Sequence, residues 1–129
     1  MPRAYTVATA ALSLDIPVKW LDNVLSHFSV QGIVQERQGV ARRITIDGML
    51  QLYLVHSLSS ELGTTIVVGT RLAQRLAAAG LVELSNGITI RADPDALRAE
   101  LIERLEHAVE IAPVPRRGRP PKNKTGRLD

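Results

Sequence analysis

Apolar residues recur along this chain with a helical period in five places and in short strand-like runs in four, with Gly, Pro and Asp between them. From Thr6 to Leu14 the residues Val7, Ala10, Ala11 and Leu14 form one stripe of a short helix. Pro17 suits the first turn of a second helix, where its missing N–H is no loss, and Asp15 is available as its cap. That helix is expected to reach about Phe28 and to bury Val18, Leu21, Val24, Leu25 and Phe28. Gly32 and Gly39 then punctuate two β-type runs, Ile33–Arg37 and Ala41–Ile46, with Gln38-Gly39 as the turn. Asp47 is expected to cap a longer helix that stops at Gly63. Thr64 and Thr65 are candidate caps for the next, which ends at Gly80. An Asn86-Gly87 turn joins Leu81–Leu84 to Ile88–Arg91 as a hairpin. Asp93-Pro94 opens the last helix, to about Glu110, with Leu97, Leu101, Leu105 and Ala108 in its stripe and Ile102 and Val109 beside it. No internal repeat is evident in this body.

The pattern stops after Ala112. Pro113, Pro115, Pro120 and Pro121 oppose a helix, and apolar residues become scarce, so residues 111–129 read as a disordered or extended tail on a folded unit of residues 1–110. Composition sharpens this division. The 129 residues are 45% hydrophobic, enough for one core, and only four are aromatic, so Leu, Ile, Val and Ala must build it. The net charge of +3 is unevenly placed: residues 113–129 hold six Lys/Arg and one Asp, while residues 1–112 hold ten Lys/Arg against twelve Asp/Glu. A basic appendage on a mildly acidic body points to a polyanionic partner.

Within the tail, Arg117-Gly118-Arg119-Pro120 has a spacing with physical content. In an extended backbone Arg117 and Arg119 fall on one side, about 7 Å apart, close to two base-pair steps of about 3.4 Å each. Gly118 lets the backbone press into a narrow cleft, and Pro120 and Pro121 keep the chain extended. Guanidinium groups suit the narrow, negative minor groove of A·T-rich DNA, with Arg116, Lys122 and Lys124 left for phosphates. The stretch over about residues 115–124 resembles the AT-hook, a minor-groove motif built on an Arg-Gly-Arg-Pro core. A merely solubilising polybasic tail would explain the charge but not the Gly and Pro positions.

Two short helices, a hairpin and further helices predict a mainly α fold of the winged helix-turn-helix kind, with short β-hairpins and a C-terminal helix. Tyr5-Thr6-Val7, then Pro17, Val18, Lys19 and Leu21, then Gly39, Arg42 and Arg43, and an Asp47-started stretch ending in Glu61-Leu62-Gly63 resemble the DNA-binding domain of MerR-type regulators over roughly residues 5–79. The resemblance implies a recognition helix bearing Lys19 and Asn23 and a wing bearing Arg37, Arg42 and Arg43. Departures accompany it. Where that family carries Arg-Tyr-Tyr, this chain has Asp22, Asn23 and Val24, so either Asp22 points away from phosphate or the helix docks differently. The wing also lacks the aromatic that usually follows its Arg. His27 reads as a surface residue and Trp20 as core. A competing reading makes the helix ending at Gly80 the reader, with Arg71, Gln74 and Arg75 facing DNA. Its many apolar positions argue instead for burial between the first half and the last helix.

No catalytic or metal constellation stands out. His27, His56 and His107 lack metal-binding spacing, the Val-Val-Gly-Thr-Arg run is no phosphate loop, and the absence of cysteine removes disulfides and thiolate sites. The expectation is a protein that is not an enzyme and needs no cofactor. No secretion signal or membrane-spanning run is evident, so a cytoplasmic, nucleoid-associated place and no membrane partner are expected. The leading expectation is a transcriptional regulator on A·T-rich double-stranded DNA. The alternatives are an architectural nucleoid protein and an antitoxin-like module whose last helix binds a protein partner. A homodimer through that helix or its preceding hairpin is also expected, since helix-turn-helix proteins usually read paired half-sites. The competing expectation packs the last helix on the Thr64–Gly80 region of its own chain.

Overall fold

The computed structural model describes residues 3–35 and 41–111. Arg37, the Gln38-Gly39 turn and the tail with Arg116, Arg117, Gly118, Arg119, Pro120, Lys122 and Lys124 lie outside the described residues. The fold is mainly helical with two small antiparallel sheets.

Strand β1 (Ala4–Thr6) runs into helix α1 (Val7–Leu14), where the Thr6 hydroxyl accepts from Thr9 N at 3.1 Å and so caps the first turn. Asp15 ends α1 in the left-handed region, φ 56°, with its N–H reaching back to the carbonyls of Ala11 and Leu12. It therefore closes α1 and does not cap the following helix, correcting the expectation from sequence. Ile16 drops into the core, and Pro17, with φ fixed at −60°, serves as N-cap residue of α2 (Val18–His27) without a side-chain bond. Leu21, Val24 and Leu25 form the buried stripe of α2; Val18 is exposed and Phe28 half-buried.

The first sheet has the order β1-β3-β2, with β2 Ile33–Val34 and β3 Arg43–Thr45. Both strands are shorter than their apolar runs suggested. Ile44 faces Tyr5 on one side and Ile33 on the other and is fully buried. Helix α3 (Ile46–Leu62) follows directly. Its cap is Thr45, whose hydroxyl accepts from Gly48 N at 3.1 Å; Asp47 is one residue inside the first turn and pairs with Arg98. The helix is the centre of the molecule, burying Met49, Leu50, Leu52, Leu54, Val55 and Leu58.

Gly63 ends α3, and Thr65 caps α4 (Ile66–Ala79) by accepting from Val68 N at 3.2 Å. Helix α4 packs on α3 at a close approach made by Gly69: a Cβ there would lie 3.4 Å from Val55 Cγ1. Only Leu72, Ala73 and Leu76, with Gly69, are buried, so α4 covers α3 on one face and is exposed on the other. Strands β4 (Leu81–Glu83) and β5 (Thr89–Arg91) are joined through a 3₁₀ turn at Ser85–Gly87, not a two-residue turn.

Helix α5 (Pro94–Ile111) starts where the Asp93 carboxylate accepts from Ala96 N at 3.1 Å, as its sequence suggested. Leu101, Leu105 and Ala108 are buried within the same chain, against α1 and α3. The apolar stripe assigned from sequence to a dimer interface or to the Thr64–Gly80 region is thus occupied chiefly by two other helices of its own chain. Ile102 and Val109 remain exposed beside it. The backbone order also holds a repetition that the sequence did not disclose: helix, three-residue turn, helix and hairpin run through α1–α2–β2–β3 and again through α3–α4–β4–β5.

Candidate nucleic-acid interface

The three-residue turn at 15–17 brings α2 against α1, and the buried stripe of α2 decides which of its residues remain outside. Lys19, Asn23, Ser26 and His27 follow helical spacing along the exposed side and line a shallow open groove together with Asp22 and one side of Trp20. The Trp20 ring is half-buried and meets His56 of α3 edge-on, centroids 4.9 Å apart. It therefore anchors the helix on the core, as a core-seeking Trp should. His27 is exposed, and its Nδ1 lies 2.9 Å from the Asn23 carbonyl at the helix C-terminus. Asp22 is exposed and lines the same groove, so a carboxylate stands among these polar side chains.

The hairpin that follows α2 in the chain carries two cations. Arg43 pairs across the sheet with Thr6 and Val34 and is exposed, while its neighbour Ile44 points to the core, so the pleat turns the guanidinium outward. Arg42 precedes it and is half-buried. The structure thus places Lys19 and Asn23 on one helix face and Arg42 and Arg43 on the hairpin that follows α2 in the chain.

Electrostatics separate two kinds of cation. Arg98 pairs with Asp47 at 3.1 Å and Asp95 at 3.5 Å, and Arg104 pairs with Glu100 and lies over the Tyr53 ring. These arginines of α5 have structural partners. Among the described residues, Lys19, Arg42, Arg43, Arg71, Arg75 and Arg91 have no carboxylate within ion-pair distance. The sequence divides in the same sense: residues 1–92 hold eight Lys/Arg and six Asp/Glu, residues 93–112 two and six, and residues 113–129 six and one. An acidic helix thus stands between a mildly basic body and a strongly basic tail.

Arg91 escaped the sequence reading. Its signal was the alternation Ile88, Thr89, Ile90, Arg91, which sends residues 89 and 91 to the outer side of the hairpin once residue 90 packs inward. Among the described residues no group of His, Asp or Glu is arranged to hold a metal, and no helix is long and apolar enough to cross a membrane. Set against known proteins, the chain matches no family model, no curated protein and no solved structure.

Proposed function

We propose that this chain is a sequence-reading DNA-binding protein of the winged helix-turn-helix kind, acting as a transcriptional regulator. In this reading α2 enters a major groove, Arg42 and Arg43 hold the flanking phosphates from the wing, and the Arg117-Gly118-Arg119-Pro120 core lies in an adjacent A·T-rich minor groove. The observation that carries it is the exposed face of α2. A helix that follows a three-residue turn and precedes a hairpin presents Lys19 and Asn23 outward, and the hairpin carries Arg42 and Arg43, which have no carboxylate partner among the described residues. Asn can form a bidentate contact with adenine, and Lys reaches guanine acceptors. Asp22 fits as an acceptor for cytosine N4 in place of a phosphate contact, a docking in which α2 points its face at base edges. Tethering joins the weak helix site to the weak tail site, so their affinities combine through effective concentration.

The test compares the intact chain with a variant carrying Lys19→Ala and Asn23→Ala. Fluorescence anisotropy is read on duplexes selected by the intact chain from a randomised pool and on unselected duplexes. The expected result is a loss of about tenfold or more on the selected duplex, with an unselected duplex affected by about twofold at most and an unchanged melting temperature. Equal loss on both would favour the architectural reading, because a backbone-only binder does not distinguish them. No loss on either would remove α2 from the interface.

A further inference from the structure

The repetition in the fold carries more than resemblance of outline. In the first unit α1, the turn at 15–17 and α2 lead through Gly32, at φ +86°, to the strand Ile33–Val34 and back along Arg43–Thr45. In the second, α3, the turn at 63–65 and α4 lead through Gly80, at φ +74°, to Leu81–Glu83 and back along Thr89–Arg91. An Ile-Thr-Ile run stands at each returning strand, at 44–46 and at 88–90. The second helix of each unit buries one stripe and leaves the other outside. On α4 the outer side carries Val67, Val68, Arg71 and Arg75, with Gln74 half-buried beside them.

The chemistry of this outer side is that of a polyanion-binding helix. Arg71 and Arg75 stand one turn apart, helix α4 contains no Asp or Glu, and among the described residues neither arginine has a carboxylate partner. Arg91 adds a third guanidinium without a carboxylate partner among the described residues, on the outer side of the hairpin. Val67 and Val68 are 54% and 40% exposed at the N-terminal end of α4, the end from which a groove-bound helix meets base edges. There an apolar side chain contacts a thymine methyl group, which accounts for two exposed valines on an otherwise cationic face. Trp20 of α2 lies against His56 of α3, whereas Gly69 of α4 lies against Val55. Helices α2 and α4 therefore each touch the central helix, at neighbouring residues.

We propose that α4, through Arg71, Arg75, Val67 and Val68, is a second DNA-contacting helix, so that one chain engages double-stranded DNA at two places. This rests on the reading that α2 contacts DNA. A second site in the same chain supplies the paired contact for which other helix-turn-helix proteins use a second subunit.

The chain lacks cysteine, so Ser26→Cys on α2 and Ala78→Cys on α4 can each carry one iron–EDTA cleavage group at a unique exposed position. The probe is the duplex that the intact, full-length chain selects from a randomised pool. Both positions are expected to cleave bound DNA, at two separate sets of nucleotides. Arg71→Gln with Arg75→Gln should shorten the protected stretch and weaken binding by about tenfold or more. Cleavage from Ser26→Cys alone, with the double glutamine variant binding as the intact chain does, overturns the second site and leaves the reading of α2 standing. Cleavage from Ala78→Cys alone overturns the pairing by making α4 the sole reader. If Val67→Asp turns a dimer into a monomer while DNA affinity is unchanged, the face belongs to a second copy of the chain and the proposal fails. If no duplex is selected at all, both readings fall together.

Discussion

Gly32 and Gly48 meet where the first hairpin joins α3, and their contact admits no side chain. A Cβ on Gly32 would lie 2.3 Å from Gly48 N and 2.5 Å from Gly48 Cα, and one on Gly48 would lie 2.6 Å from Gly32 O. These neighbours are backbone atoms, which cannot swing aside. Thr45 locks the junction: its N–H and its hydroxyl both donate to the Gly32 carbonyl, at 3.0 and 2.8 Å, while the same hydroxyl accepts from Gly48 N. The residue that caps α3 thus also fixes the hairpin that accompanies α2. Gly32 further sits at φ +86°, where an L side chain is strained before any clash is counted. Gly63 shares the positive φ, at 72°, but has nothing within 4 Å of its Cβ position. Gly32→Ala is therefore expected to cost about 3 kcal/mol or more, and Gly63→Ala about 1 kcal/mol. Urea unfolding followed by circular dichroism measures both. Equal costs would show that backbone conformation alone, and not the contact with Gly48, governs the junction.

Helix α5 shows at the scale of an element what periodicity does and does not convey. Its stripe of Leu97, Leu101, Leu105 and Ala108 was legible because spacing alone marks a buried face. The surface that covers it was not, since an internal partner and a second chain impose the same period. The structure puts Leu101 and Leu105, each 2% exposed, against α1 and α3, and leaves Ile102 at 46%. Leu101→Asp is expected to cost more than about 4 kcal/mol and leave no cooperative transition, while Ile102→Asp changes stability by about 0.5 kcal/mol or less. Thermal melts of the two variants decide this, and an unfolded Ile102→Asp chain would mean that the stripe is wider than the helix suggests. The helix ends at Gly63 and Gly80 were legible because a left-handed residue favours glycine. The choice of Thr45 over Asp47 as cap was not, because strand register fixes where α3 begins, and that register is set by pairing with Ala4–Thr6, far away in the chain. The repeated unit was hidden by unequal parts: α1 has 8 residues against 17 in α3, and α2 has 10 against 14 in α4. At the candidate site, Lys19 and Asn23 were legible as a pair from their four-residue spacing, whereas the exposure of Asp22 beside them depended on how α2 rotates against the core.

Charge is distributed over the whole molecule in three blocks of alternating sign, and the most basic one begins where the described core has ended. Among the described residues the last buried apolar one is Ala108, and the apolar stripe read from the sequence ends before Pro113. A chain ending at Ala112 should therefore keep its cooperative melting transition. If the chain binds DNA as proposed, what it should lose is a share of the salt dependence of that binding. The tail holds six cations, and each phosphate neutralised contributes about 0.9 to the slope of log affinity against log salt. The two arginines of the Arg117-Gly118-Arg119-Pro120 core separate placement from bare charge. If they lie in an A·T minor groove, Arg117→Ala with Arg119→Ala weakens binding to an A·T-rich duplex by about tenfold or more. Binding to a G·C-rich duplex then falls only by the electrostatic part, and the salt slope on either drops by about 2. If the tail is only a cationic brush, both duplexes lose affinity equally and the slope drops by the same amount. Anisotropy titrations of the intact and doubly substituted chains on both duplexes, at matched salt series, distinguish these outcomes. Equal losses would remove the tail from any role in sequence preference and confine the proposed reading of a site to the helices of the body.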